Sequence, residues 1–272
     1  MQDESKNMTK QQRRKVILGA LAVALIVSMV CVDWWGMGSD DLPRIMEEGR
    51  LVVIMDDSHM GFCSHHVVDT MGFYYEMVKA YADSMGLELE VVVVDGLDNQ
   101  LKSLAQGAGH VVAATIPLTE PIRRKYEAVG PLYYAHLQLA QHDAEDKLSS
   151  PLEMVNRLVV MPENSAYEMR LDFLGEELAD SIPRFVVKSC SEEDLMRMLQ
   201  RGDIAYTMCM SLDARCWKRI FPETYFDLSL GVDQPCGWVV SKSAHKLHVS
   251  LEKFFEGFMQ TSDYRRIYLK YF

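Results

Sequence analysis

Along residues 41–272 the hydrophobic and polar positions follow two alternating rhythms. Short apolar runs of strand length occupy Leu51–Met55, Leu87–Val94 and Val111–Thr115. Between them lie segments with helical spacing. Residues 72–85 carry Phe73, Met77, Ala80, Tyr81 and Met85 on one face, and Gly86 stops that helix. Asp41–Glu48 reads as a helix closed by Gly49, and Leu97–Gln106 as another. The rhythm then repeats: strands at 157–161, 184–187 and 203–208, helices at 166–178, 191–199 and 211–220. Ser191 with Asp194 three residues on is a helix start. Such alternation predicts an α/β fold with a parallel sheet flanked by helices. The polar stretch 143–150 (DAEDKLSS) separates two halves, so two lobes and a cleft are expected.

Before this body stands a different pattern. Val16–Val32 is an uncharged apolar run of 17 residues. As a helix it spans about 26 Å, close to a bilayer core of about 30 Å. Arg13, Arg14 and Lys15 precede it, and Trp34 and Trp35 follow. That order fits an N-in, C-out anchor over 16–35, with the body in the periplasm. The Asp33-Trp34-Trp35 sequence is a poor signal-peptidase site, and Met29-Val30 before Cys31 is poor for acylation.

Charge narrows the partners. The chain has 28 basic and 39 acidic residues, a net of −11. Residues 39–272 alone hold 23 bases and 36 acids, a net of −13. A body this acidic offers no general phosphate-binding surface, which argues against nucleic acid. The six cysteines show no C-x-x-C pair and no zinc spacing. Export would permit a disulfide from Cys209 to Cys216 or Cys236. His59, His65 and His66 share a loop with Cys63, where solvated histidines are commoner than a metal site. No metal or other cofactor is expected.

Five stretches in order carry a family resemblance: DLPRIMEEGRLVV (41–53), GFYYEMVKAYADSMGLELEVV (72–92), AATIPLTEPIRRKYEAVGPLYY (113–134), QPCGWVVSKSAHKL (234–247) and SDYRRIYLKYF (262–272). Together they resemble the family 3 solute-binding proteins of the type II periplasmic fold. The similarity is greatest to the solute-binding-like domain of F-type membrane-bound lytic transglycosylases. The resemblance implies two crossings between lobes, near Tyr134–Gln141 and Gln234–Val240. Lobe 1 would then be 41–141 plus 234–272, and lobe 2 would be 142–233.

The resemblance also implies site residues. The family holds a ligand carboxylate with an arginine after a threonine. Alignment through 130–134 places Arg123 there, after Thr119, whereas a gapless alignment places Ile122. Thr115 and Phe73 lie in the matching lobe 1 segments. The turn before Tyr167 resembles the family's second anion-holding turn, with Ser165 as donor. The acid that usually holds an α-ammonium is missing, since Cys209 and Met210 occupy its position. Asp56, beside Asp57 after the first strand, is the candidate replacement.

The expected function is a membrane-anchored periplasmic binding module closing on a small carboxylate-bearing ligand, an amino acid or cell-wall peptide fragment. It would serve transport or sensing, with a membrane transporter or a cell-wall enzyme as partner. The alternatives are a non-catalytic relative or regulatory partner of lytic transglycosylases, or a ligand-free scaffold. No G-x-S-x-G, H-E-x-x-H or P-loop occurs. In the resembling transglycosylases a catalytic domain follows the K-Y-F helix. Here Phe272 ends the sequence, so catalysis is not expected.

Overall fold

The structure, a computed structural model, describes residues 41–63, 71–142, 145–188 and 190–272. The apolar run 16–32, His65, His66 and the middle of the histidine loop lie outside the described residues. No helix among the described residues is long and apolar enough to cross a membrane.

Five strands form the larger sheet, in the order β2-β1-β3-β10-β4. They are β1 (Arg50–Met55), β2 (Glu88–Val93), β3 (Val111–Pro117), β4 (Tyr126–Ala135) and β10 (Gln234–Ser241). β1 is parallel to β2 and β3, while β10 runs antiparallel to β3 and β4. The expected parallel sheet is therefore mixed. Linear spacing reads crossover helices, but β10 returns from the second lobe and enters the sheet the other way.

Helices cover both faces, which explains why β1 is a continuous apolar run. Leu51, Val53 and Met55 pack on one side with α2 (Phe73–Met85) and α8 (His245–Phe258). Ile54, Val112, Ile116 and Val239 pack on the other with Leu104 of α3 (Leu97–Ala105). The first helix, α1 (Leu42–Glu48), is closed by Gly49 in the left-handed region, φ 72°. Asp41 caps it, and its Oδ1 also accepts from the Leu247 amide at 2.8 Å. The last helix, α9 (Ser262–Tyr271), packs back on α2, with Phe272 4.9 Å from Phe73 ring to ring.

The second lobe holds a three-stranded antiparallel sheet and a parallel pair. Its elements are β5 (Leu137–Gln141), β6 (Val159–Pro162), α5 (Ser165–Leu178), β7 (Arg184–Val187), α6 (Glu192–Gln200), β8 (Tyr206–Met210), α7 (Ser211–Ile220) and β9 (Tyr225–Ser229). The chain leaves the large sheet at His136, between β4 and β5, and returns through 230–233, between β9 and β10. The two crossings touch: His136 Nδ1 lies 2.6 Å from Asp233 Oδ1. Between β3 and β4 lies the six-residue helix α4 (Glu120–Lys125). Cys190, Cys209, Cys216 and Cys236 are free thiols, so the disulfide that export would permit from Cys209 to Cys216 or Cys236 is not formed.

Candidate ligand-binding site

The strand ends and helix starts of both lobes converge on a small cavity of about 60 Å³. The first lobe contributes Asp56 after β1, Tyr74 of α2, Gln100 of α3 and Thr115 of β3. The second contributes Asn164 and Tyr167 at the start of α5, Glu192 at the start of α6, and Asp213 and Trp217 of α7. The location is physically dictated. Ligands of open α/β sheets bind beyond the carboxyl ends of strands, and here two lobes present those ends to each other. A space of this size holds roughly four waters, or a chemical group of that bulk.

The lining is acidic. Asp56, Glu192 and Asp213 face the space, and no Lys, Arg or His is among the described residues that line it. Asp213 is 5% exposed. Its Oδ1 accepts from Thr115 Oγ1 at 2.8 Å and from Tyr74 Oη at 3.1 Å, so it bridges the lobes. Tyr74 and Thr115 also bond each other. Tyr167 donates to Glu192 Oε1 at 2.7 Å.

Burial, and then the negative charge of Asp56, push Asp213 up to about 7, against the bonds from Thr115 and Tyr74. Burial likewise raises Asp56 to about 6, with Ser58 pulling the other way. Glu192 is raised well above the carboxylate range by burial and by Asp213. Asp56 and Asp213 are thus raised towards neutrality by burial, with no basic side chain in the described lining to oppose it.

Two further polar groups complete the lining. Gln100 donates through Nε2 to the Val94 carbonyl at 2.9 Å, which can only accept, so its amide orientation is fixed. Its Oε1 is then a buried acceptor without a partner. The buried Trp217 indole N–H completes no hydrogen bond, although it lies near enough to Glu192 to favour the ionised carboxylate.

Of the sequence-derived candidates, the structure brings Asp56, Thr115 and Tyr167 together here. Met210 lies beside the cavity, in a groove that Tyr167 also lines. Arg123 and Thr119 line neither space. Arg123 is exposed on α4, and its Nε donates to the Leu118 carbonyl at 3.0 Å. Thr119 is the exposed N-cap of that helix. Phe73 is buried among Tyr271 and Phe272 instead of facing the cavity. Ser165 is the first residue of α5, whose cap is Asn164, accepting from the Ala166 amide at 3.1 Å. His59 of the histidine loop bonds Glu193 at 2.8 Å, and no metal-holding group of acids, histidines and cysteines occurs among the described residues.

Sequence reasoning missed Asp213, Glu192, Tyr74 and Gln100. Asp213 had a partial signal: it stands three residues beyond Met210, in the first turn of α7, close to the strand end where an acid is sought. Gln100 had none, since an amide in an amphipathic helix looks like a solvated position.

This cleft between two α/β lobes, with buried polar groups facing inward, defines a two-lobed solute-binding fold of the type II periplasmic class. The chain belongs to the bacterial extracellular solute-binding proteins of family 3, whose model matches residues 51–272. Curated relatives are named membrane-bound lytic murein transglycosylase F. The one from Desulfosudis oleivorans is 25% identical over 261 residues, 95% of this chain and 56% of that protein. The one from Pseudomonas savastanoi pv. phaseolicola is 28% identical over 207 residues, 74% of this chain and 40% of that protein. The chain thus spans about half the length of the curated relatives it matches. Among solved structures, the amino acid ABC transporter substrate-binding protein AbpA of Streptococcus pneumoniae, bound to L-arginine, has a TM-score of 0.72. It is 17% identical, with 84% of this chain and 97% of that one covered. The solute receptor for L-cysteine of Neisseria gonorrhoeae also has a TM-score of 0.72, at 13% identity, covering 84% and 92%. At these identities the likeness is one of fold.

Proposed function

We propose that this chain is a binding module whose lobes close on a small ligand carrying a protonated amine. One observation carries the reading: three carboxyl groups and the free Gln100 carbonyl face one enclosed space with no basic side chain in its described lining. Buried carboxyl groups without a cationic partner suit an ammonium, whose N–H groups would bond them and whose charge would return the acids to their ionised form. The streptococcal neighbour was solved with L-arginine, itself a cation, which supports a small-molecule ligand. Arg123, exposed and bonded to the Leu118 carbonyl, stands outside this space, so the carboxylate-holding role that the resemblance gives it is not part of this reading.

The module acts without catalysis and is anchored by residues 16–35, with its body in the periplasm. The basic, apolar and Trp order of residues 13–35 supports this. There it serves transport, sensing or the control of a cell-wall enzyme. Protease added to spheroplasts should remove the body and leave the anchor in the membrane; a protected body would overturn the placement.

The binding reading is tested by thermal shift of the full chain with small amines and their neutral alcohol isosteres. Amines should raise Tm at pH 8, alcohols should not, and Asp213→Asn should abolish the shift. A scaffold reading has one observation in its favour, since Asp213 already joins Thr115 and Tyr74 across the cleft. Unchanged Tm with every amine would favour it.

A further inference from the structure

Beside the acidic cavity lies a groove of about 350 Å³ with a different character. Pro117, Leu137, Met210, Leu230 and Val232 line it, and Tyr167 is shared with the cavity. The same three elements line both spaces. On β3, Thr115 faces the cavity and Pro117, two residues on, the groove. On α5, Asn164 faces the cavity and Ala166 the groove, and at the start of α7 Asp213 faces the cavity and Met210 the groove. The two spaces therefore sit side by side along one cleft, and Val232, 83% exposed, stands where the groove meets solvent.

The groove has one charged residue, Arg170, and its charge is already matched. Its Nε donates to the Leu230 carbonyl at 2.5 Å, and its two terminal nitrogens bond Glu177 at 2.9 and 3.4 Å. A ligand carboxylate would have to displace Glu177. An apolar body would displace only water.

We infer that the ligand is an amphiphilic amine: a protonated nitrogen in the acidic cavity, an apolar body lying past Tyr167 against Met210 and Leu230, and no carboxylate beside the nitrogen. This rests on the amine reading above and adds the chemical class of what the amine carries. The unpartnered Gln100 Oε1, 98% buried, anchors the nitrogen end independently of the acids. Continuity through Tyr167 assigns the groove to the same ligand.

The test is a binding series on the full chain in detergent at pH 8, read by calorimetry. The probes are propylamine, hexylamine, 1-hexanol, phenethylamine and phenylalanine. Burying a methylene is worth about fourfold in affinity, so hexylamine should bind at least tenfold tighter than propylamine. Hexanol, with the same apolar body, should show no saturable binding. Phenethylamine should bind at least tenfold tighter than phenylalanine, which differs only by its carboxylate. Met210→Gln should pull the hexylamine-to-propylamine ratio toward one, and Val232→Ser, at an exposed position, should do the same more weakly if the buried variant fails to fold. Equal affinity for propylamine and hexylamine would overturn this inference while leaving the amine reading intact. Phenylalanine binding as tightly as phenethylamine would overturn it too. If no amine binds, both readings fall together.

Discussion

Glu193 and Asp213 both stand on helices of the second lobe, both are almost fully buried, and both bond the first lobe. Their surroundings make them different devices. Glu193 accepts from the His59 amide at 3.0 Å, meets His59 Nδ1 at 2.8 Å and takes Arg197 at 2.5 Å on its other oxygen. Burial alone would raise its pKa, but the His59 bonds and the Arg197 charge outweigh that and hold it below the usual range. Asp213 meets only hydroxyls and other acids, so burial wins and its pKa climbs to about 7. One carboxylate is satisfied and structural. The other lacks a counter-charge, and that lack is what a ligand can supply.

Four measurements sharpen or break this contrast. The largest effect belongs to Asp213. A charge-assisted pair in a desolvated cleft is worth about 2–5 kcal/mol, so Asp213→Asn should weaken amine binding by more than about thirtyfold while leaving the apo fold intact. Undiminished binding would remove Asp213 from the site. Next comes Glu193→Gln. Removing one partner of a buried ion pair costs about 3 kcal/mol, which for a body of this size should lower Tm by roughly 6–12 °C. Amine affinity should change little. A Tm unchanged by this variant would make the two acids equivalent after all.

The third is pH. Asp213 and Asp56 are raised above their unfolded values, so the apo fold binds more protons than the unfolded chain between about pH 4 and 7. The stability this gives is present below about 4 and lost as pH rises through 6 and 7. Amine affinity runs the other way, rising roughly tenfold per unit between pH 5 and 7 where one proton is released. Apo Tm should be higher at pH 5 than at pH 8, and a flat profile would contradict the raised acids. The smallest effect is that of Arg123→Ala. With its side chain exposed and bonded to Leu118, it should change amine binding less than about twofold; a tenfold loss would bring Arg123 back into the site.

Much of the fold was readable in the chain. The Gly49 and Gly86 stops and the Ser191 cap fall where apolar periodicity ends, and each does that work in the structure. The antiparallel β10 was not readable, because strand direction is set by tertiary connection and leaves no mark on a run of apolar residues. The site divided in the same manner. Asp56 and Thr115 sit at strand ends, where sheet geometry aims side chains into the cleft. Glu192 and Tyr74 sit in first helical turns whose acids and aromatics look like caps and core. Arg123 was drawn from a motif, but the chain spends it on a carbonyl five residues back.

With Asp56 and Asp213 raised towards neutrality, loading of a cationic ligand would be an exchange. A cation that enters expels a proton, so the body's net charge hardly changes between empty and filled. Occupancy then follows the ratio of amine to proton activity and not the amine alone. At fixed amine, acidification by itself would empty the cleft, and heats of binding should vary with the ionisation enthalpy of the buffer that receives the proton.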